Sequence, residues 1–152
     1  MDILFLDIDG VLNSEQSAAR FHSYMKLDPR CVGLLNDIME RTKAMIVVSS
    51  TWRIGLCPTV EAMRNILVKN GFTHPHRIID LTPVVSMARN RGQEIEKWLK
   101  DNGDKQIERF VIVDDDVFDL IRYNDHVVKT DMGHEGLQQP HADIIIKRLT
   151  ED

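Results

Sequence analysis

The stretch ILFLDIDGVLN, residues 3–13, decides the fold of this chain. Four apolar residues run directly into Asp7, and a second carboxylate and a glycine follow at Asp9 and Gly10. An apolar run without polar alternation is typical of a strand buried on both faces, as in a parallel sheet. A turn after the strand accounts for the glycine, but not for two neighbouring acids. Because such a pair concentrates like charge, it requires a counter-ion, a proton or a chemical role.

Length and composition indicate a folded protein. The chain has 152 residues, of which 43% are hydrophobic and 28% charged, so it can bury a core, and we expect one domain over residues 1–152. The net charge of -5 argues mildly against a broad surface for nucleic acid, although a local basic patch is compatible with it. No apolar run approaches the ~20 residues of a membrane span, so no membrane partner is expected. Cys31 and Cys57 lack metal-site spacing and fit reduced thiols in the cytoplasm.

Apolar runs alternate with helical patterns along the chain. Strands are predicted at 3–6, 44–49 and 110–113, with shorter candidates at 77–80 and 126–130 and a last possible strand at 142–147. Helices are predicted within 27–42, 57–71, 91–103 and 117–124. Strands that alternate with helices and lack polar positions predict a single α/β domain, with a parallel sheet covered on both faces.

Polar side chains follow three of the predicted strands. They are Asp7 and Asp9 after the first, Ser49, Ser50 and Thr51 after the second, and Asp114, Asp115 and Asp116 after strand 110–113. In open parallel sheets the ligand site lies off the carboxyl ends of the strands, so neighbouring strands would bring these groups into one crevice. Clustered carboxylates repel one another, and a bound hard cation such as Mg²⁺ removes that cost. A single acid such as Asp116 is as readily a turn former or a helix cap.

This arrangement fits phosphoryl transfer. Asp7 is placed to attack phosphorus as a carboxylate nucleophile, which gives an aspartyl-phosphate. Asp9 lies on the same side of the strand, two residues on, and can protonate the leaving oxygen and then deprotonate the hydrolytic water. A strand-end hydroxyl and backbone N–H groups can hold the phosphoryl oxygens, and a lysine or arginine would complete the charge stabilisation.

Three motifs resemble those of the haloacid-dehalogenase (HAD) superfamily of Mg²⁺-dependent phosphohydrolases. FLDIDGVLN at 5–13 matches its first motif, IVVSS at 46–50 its second and FVIVDDD at 110–116 its fourth. The resemblance implies a three-layer Rossmann-like sheet with strand order about 3-2-1-4-5.

The resemblance also implies a role for each matching residue. Asp7 stands in the nucleophile position and Asp9 in the acid/base position, and Ser49 contacts the phosphoryl group. Asp114 and Asp115 lie around Mg²⁺, directly or through water. Asp7 and the backbone carbonyl of Asp9 are further metal ligands in that family.

The third motif requires a cation at the start of the helix before the fourth-motif strand. The chain offers Arg89 and Arg91 there. We favour Arg91, because it directly precedes Gly92 at the helix entry. The alternative is that either arginine is a solvated surface charge.

A narrower resemblance covers nearly the whole chain. It is to the small HAD domains of bacterial and phage RNA-repair proteins, and it implies a nucleotide or polynucleotide phosphate end as substrate. Neither 11–43 nor 54–89 has room for a large cap domain, and 11–43 holds only a loop and one helix.

Three residues around the second motif are candidate substrate contacts. Trp52 could stack on a base and Arg53 could meet a phosphate, with Ser50 beside them. The alternative is that Trp52 packs as a lid on the core and Arg53 pairs with a nearby acid.

The function predicted from these observations is a Mg²⁺-dependent phosphomonoesterase. Two other classes remain open: a phospho-accepting signalling module, resembling response-regulator receivers, and a catalytically idle HAD-fold binding domain. Receivers lack an acid two residues after the phosphorylated aspartate, so Asp9 favours the enzyme.

Overall fold

Five parallel strands form the sheet in the computed structural model, which describes residues 1–85 and 90–151. The strands are β1 (Asp2–Leu6), β2 (Met45–Val48), β3 (Ile78–Leu81), β4 (Arg109–Asp114) and β5 (Val127–Lys129). Their order is β3-β2-β1-β4-β5, and every neighbouring pair is parallel. The predicted fold class and the strand order 3-2-1-4-5 are confirmed.

Four of the described α-helices lie between strands, and the last one follows β5. They are α1 (Glu15–Phe21), α2 (Pro29–Arg41), α3 (Val60–Lys69), α4 (Arg91–Asp101) and α5 (Gln139–Thr150). Short 3-10 turns lie at Thr51–Arg53, Pro75–Arg77, Gly103–Lys105 and Ile121–His126. The start of α2 follows the predicted pattern, because the Asp28 side chain accepts a hydrogen bond from the backbone N–H of Arg30 and Pro29 occupies the first turn.

The helices cover both faces of the sheet. On one face, alternate strand residues such as Leu4 and Val48 share a buried core with the apolar sides of α2, α3 and α5. On the other face, Phe5 and its neighbours pack against Trp98 of α4, with ring centroids 5.5 Å apart in an edge-to-face arrangement. The result is the predicted three-layer architecture.

Three local predictions were wrong. Residues 142–147 belong to α5 and not to a strand, since Ala142, Ile145 and Leu149 recur at helical spacing and are buried together. Residues 11–43 contain two helices, because Ser14 forms a capping box that starts α1. No α-helix begins at Val117; the chain turns there and forms the 3-10 segment Ile121–His126 instead.

The strand register brings the predicted site residues to one edge of the sheet. Leu6 of β1 is aligned with Val48 of β2 and with Val113 of β4. The backbone N–H of Asp7 donates to Val113 (3.2 Å), and that of Ser49 donates to Leu6 (2.9 Å). The first residues beyond the aligned row are Asp7, Ser49 and Asp114.

The described chain carries no large insertion over this edge. Between β1 and β2 it holds α1 and α2, and between β2 and β3 it holds α3 and two 3-10 turns. Within the described ranges, none of the helices combines the length and apolar character that crossing a membrane demands.

Candidate active site

Three carboxylates converge at the carboxyl edge of the sheet. Asp7, Asp114 and Asp115 each offer one oxygen, and these oxygens all lie within 4.8 Å of one another. Asp7 and Asp114 are buried, and Asp115 is half-buried. The predicted meeting of the first-motif and fourth-motif acids follows from the adjacency of β1 and β4.

Gly10 allows Asp115 to approach this cluster. Its backbone has φ +83°, and a Cβ at this position would collide with the Asp115 carboxylate. The Thr130 hydroxyl donates to the Gly10 carbonyl (2.6 Å) and fastens the turn to the end of β5. Only glycine meets both the conformational and the steric requirement here.

Arg91 reaches the same cluster from the first turn of α4. Its guanidinium lies 3.1 Å from Asp7 Oδ2 and also pairs with Asp114. The Asn90 side chain caps this helix, and the backbone N–H of Arg91 donates to Asp119 (2.8 Å). The other candidate for the third-motif cation, Arg89, lies outside the described residues.

Burial dominates the electrostatics of the cluster. Loss of solvation raises the pKa of Asp7 well above its usual value, the neighbouring charge of Asp114 raises it further, and Arg91 opposes both. Loss of solvation also raises the pKa of Asp114, and again Arg91 opposes it. Burial therefore disfavours the ionised forms of Asp7 and Asp114, and the Arg91 guanidinium offsets only part of this effect.

The cluster fits a divalent hard cation. With all three carboxylates ionised, Arg91 leaves two negative charges uncompensated. Among the described residues, buried Asp7 Oδ1 has no hydrogen-bond partner. The donors are carboxylate oxygens, without sulfur or imidazole, which suits Mg²⁺ better than Zn²⁺.

Ser49 supplies a hydroxyl beside the carboxylates. The residue is buried, and its Oγ makes no hydrogen bond within the described part of the chain. A buried hydroxyl without a partner costs free energy, which a bound oxygen atom would recover.

Two hydrogen-bond donors engage the Asp9 side chain. Its Oδ1 accepts hydrogen bonds from Asn13 Nδ2 (2.9 Å) and from Trp52 Nε1 (3.0 Å). The side chain is therefore not a member of the group that could hold a metal. The carbonyl ligation that the family resemblance implies stays a prediction.

The predicted substrate contacts have other partners in this structure. Trp52 is only 6% exposed, so its ring packs as a lid on the core, and the Ser50 hydroxyl accepts a hydrogen bond from the Trp52 backbone N–H. Arg53 is also buried and pairs with Glu94 at 2.6 Å.

All five N–H donors of the Arg53 guanidinium are engaged. Besides Glu94 they reach four backbone carbonyls, those of Ser49, Ser50, Thr82 and Pro83. This geometry supports the alternative stated from the sequence, in which Trp52 packs and Arg53 pairs with an acid. Substrate contact by Ser50, Trp52 or Arg53 stays a prediction.

Sequence reasoning missed two residues that organise the site. Asn13 accepts from the backbone N–H of Gly10 (2.9 Å) while its amide donates to Asp9, so it braces the turn that follows β1. The sequence did contain an indication of this role, because Asn13 can both donate and accept a hydrogen bond and lies four residues after Asp9. Glu94 carried no comparable signal, because a glutamate in the first turns of a helix is ordinary.

The strand order, together with the DxDG turn after β1, places the chain in the class of HAD-type domains. More narrowly, it belongs to the family described as the HAD domain in Swiss Army Knife RNA repair proteins, whose model matches residues 3–142. Both resemblances noted from the motifs are thereby confirmed. No curated protein and no solved structure showed significant similarity to the chain.

Proposed function

We propose that the chain is a Mg²⁺-dependent phosphomonoesterase that works through an aspartyl-phosphate on Asp7. The observation that carries this proposal is the position of Asp7. Its buried carboxylate lies beside those of Asp114 and Asp115 and 3.1 Å from the Arg91 guanidinium, at the end of the strand where HAD-type domains hold their nucleophile. We also propose that residues 1–152 form one domain.

In the first step one oxygen of Asp7 attacks the phosphorus of the substrate. Arg91 offsets the negative charge of the phosphoryl group, and the Ser49 hydroxyl donates a hydrogen bond to one of its oxygens. Asp9 gives its proton to the leaving oxygen as the bond to phosphorus breaks.

In the second step Asp9, now a carboxylate, takes a proton from water. The oxygen of that water attacks the phosphorus, the bond to Asp7 breaks, and inorganic phosphate leaves. Asp7, Asp114 and Asp115 would hold the metal, with the Asp9 carbonyl. Bound Mg²⁺ would neutralise these acids and stabilise the charge that develops on the phosphoryl oxygens.

The proposed substrate is a nucleotide or a polynucleotide phosphate end. Membership of a family named for RNA-repair proteins supports this class. The absence of a large insertion over the site in the described part of the chain supports it as well, because an open crevice admits a bulky substrate.

Hydrolysis of 4-nitrophenyl phosphate, with Mg²⁺ and with EDTA, tests the activity. We expect release of phosphate that depends on the metal and on Asp7. Phosphorylation of the protein without turnover would indicate a signalling module, and no reaction at all would indicate an idle binding domain. Oligonucleotides with 3′- or 5′-phosphates, mononucleotides, sugar phosphates and phosphopeptides, compared by kcat/KM, then test the substrate class.

A further inference from the structure

Two hydrogen bonds converge on a single oxygen of the Asp9 carboxylate. Oδ1 accepts from the indole Nε1–H of Trp52 (3.0 Å) and from the amide Nδ2–H of Asn13 (2.9 Å). The orientation of the Asn13 amide follows from its other partners, because its oxygen accepts from the backbone N–H of Gly10 and its nitrogen donates to the carbonyl of Tyr24 (both 2.9 Å). Both partners of Oδ1 can only donate hydrogen bonds, so Oδ1 is the acceptor in both.

We propose that Trp52 is a positioning residue, which reserves Asp9 Oδ2 for proton transfer. This inference rests on the proposed function, in which Asp9 is the general acid and base. Because Oδ1 already accepts two N–H donors, Oδ2 is the oxygen left to carry the transferred proton. That proton passes to the leaving oxygen as the P–O bond breaks, and Oδ2 later receives a proton from the attacking water.

The surroundings of Trp52 hold its indole in one place. The ring is only 6% exposed and belongs to the core on the α2 and α3 side of the sheet. Its backbone N–H donates to the Ser50 hydroxyl (3.1 Å), and its carbonyl accepts from Cys57 (2.8 Å). A donor fixed in this way limits the rotation of the Asp9 carboxylate, which is what precise proton transfer requires.

A purely structural role for the hydrogen bond makes a different prediction. If it served only to satisfy a buried indole N–H, its loss would lower stability and slow all substrates alike. If the hydrogen bond positions Asp9, the loss of rate depends on the leaving group. An alkoxide must be protonated as it departs, whereas 4-nitrophenolate leaves without a proton.

The test compares Trp52→Phe with Trp98→Phe. Trp98 is also a buried tryptophan whose Nε1–H donates to an aspartate, Asp80 (2.8 Å), but on the α4 side of the sheet. The Phe variants keep an aromatic ring and remove the donor. The measurement is the single-turnover rate of the first step, with Mg²⁺, on a nucleoside 3′-monophosphate and on 4-nitrophenyl phosphate.

We expect Trp52→Phe to slow the nucleotide about ten-fold more than the aryl phosphate, a part of the 10²–10⁴-fold contribution of a general acid. Trp98→Phe should change both rates by the same factor. Should Trp52→Phe fail to fold, benzothienylalanine at position 52 keeps the bicyclic shape without the N–H and is expected to give the same discrimination.

Equal losses on the two substrates, or the same discrimination in Trp98→Phe, would overturn the positioning role while the proposed function stands. If the wild-type protein hydrolyses neither substrate with Mg²⁺, the proposed function fails and this inference falls with it.

Discussion

Arg53 and Glu94 form a buried ion pair. The pair joins the turn after the second motif to α4, the helix that carries Arg91. The guanidinium and the carboxylate are 2.6 Å apart, and their side chains are 3% and 4% exposed. Because Arg53 also donates to the carbonyls of Ser49 and Ser50, the pair links the strand-end serine to the helix that carries Arg91.

Glu94→Gln tests the importance of this link. It leaves a buried guanidinium without its counter-charge, which we expect to lower the free energy of unfolding by about 3 kcal/mol. It should also reduce kcat, because Ser49 and Arg91 lose a common support. Lys97→Gln, which breaks the exposed Lys97–Asp101 pair on the same helix, is the control, and its stability should match wild type. Equal stability of the two variants in chemical denaturation would contradict this account.

Asp7→Asn should stabilise the metal-free protein while abolishing turnover. Burial and Asp114 raise the pKa of Asp7, so near neutral pH its ionised form is penalised in the folded state. Removing that charge should raise Tm by about 2–4 °C, equivalent to about 1 kcal/mol.

The pH dependence of that difference follows from the sign of the shift. Since the folded state binds the proton of Asp7 more tightly than the unfolded state, the wild-type protein loses stability as pH rises above the unfolded pKa towards the raised folded one. The advantage of Asp7→Asn should therefore shrink as pH is lowered through the raised pKa, and it should reverse with Mg²⁺, which stabilises the wild type by binding. A variant less stable than wild type in EDTA at neutral pH would contradict the electrostatic account.

Alanine variants of Asp115 and Asp116 should differ in the Mg²⁺ concentration that they need for activity. Asp115 belongs to the carboxylate cluster, whereas Asp116 is exposed and accepts from the backbone N–H of Phe118 (3.2 Å) in a turn. Asp115→Ala should raise the Mg²⁺ concentration for half-maximal rate by about ten-fold or more. Asp116→Ala should leave it unchanged. If both variants shift the titration equally, the assignment of metal ligands is wrong.

Arg91→Gln should lower kcat by roughly 10²-fold, because the charge that faces Asp7 and Asp114 is lost. Arg91→Lys should recover part of the rate, since it keeps the charge but not the planar fork. Arg89→Gln is the matched control and should retain wild-type kcat. A larger loss in Arg89→Gln than in Arg91→Gln would assign the third-motif cation to Arg89.

The sequence predicted the strand ends well because their signal is local. An apolar run that ends in Asp7, Ser49 or Asp114 marks both the strand and its exit, and the parallel register brings the three exits together. The last helix was missed because Ile144, Ile145 and Ile146 are β-branched residues in succession, and their strand propensity is overridden by packing at helical spacing.

The contacts that orient the site could not be predicted in the same way. The Trp52–Asp9 hydrogen bond joins residues that are 43 positions apart, and it depends on how the loop after β2 folds over the turn after β1. A tryptophan beside a motif is equally compatible with base stacking and with core packing. Only the three-dimensional arrangement shows that the Trp52 ring packs in the core.

The most direct test of the central claim is the identity of the residue that carries the phosphoryl group. The wild-type protein is mixed with substrate and Mg²⁺, quenched in acid within one turnover and reduced with borohydride, which converts an aspartyl-phosphate to homoserine. Peptide mass spectrometry then locates the change. We predict homoserine at position 7, dependent on substrate and Mg²⁺ and absent in Asp7→Asn. Hydrolysis that proceeds with position 7 unmodified, or with the modification on another residue, would contradict the account.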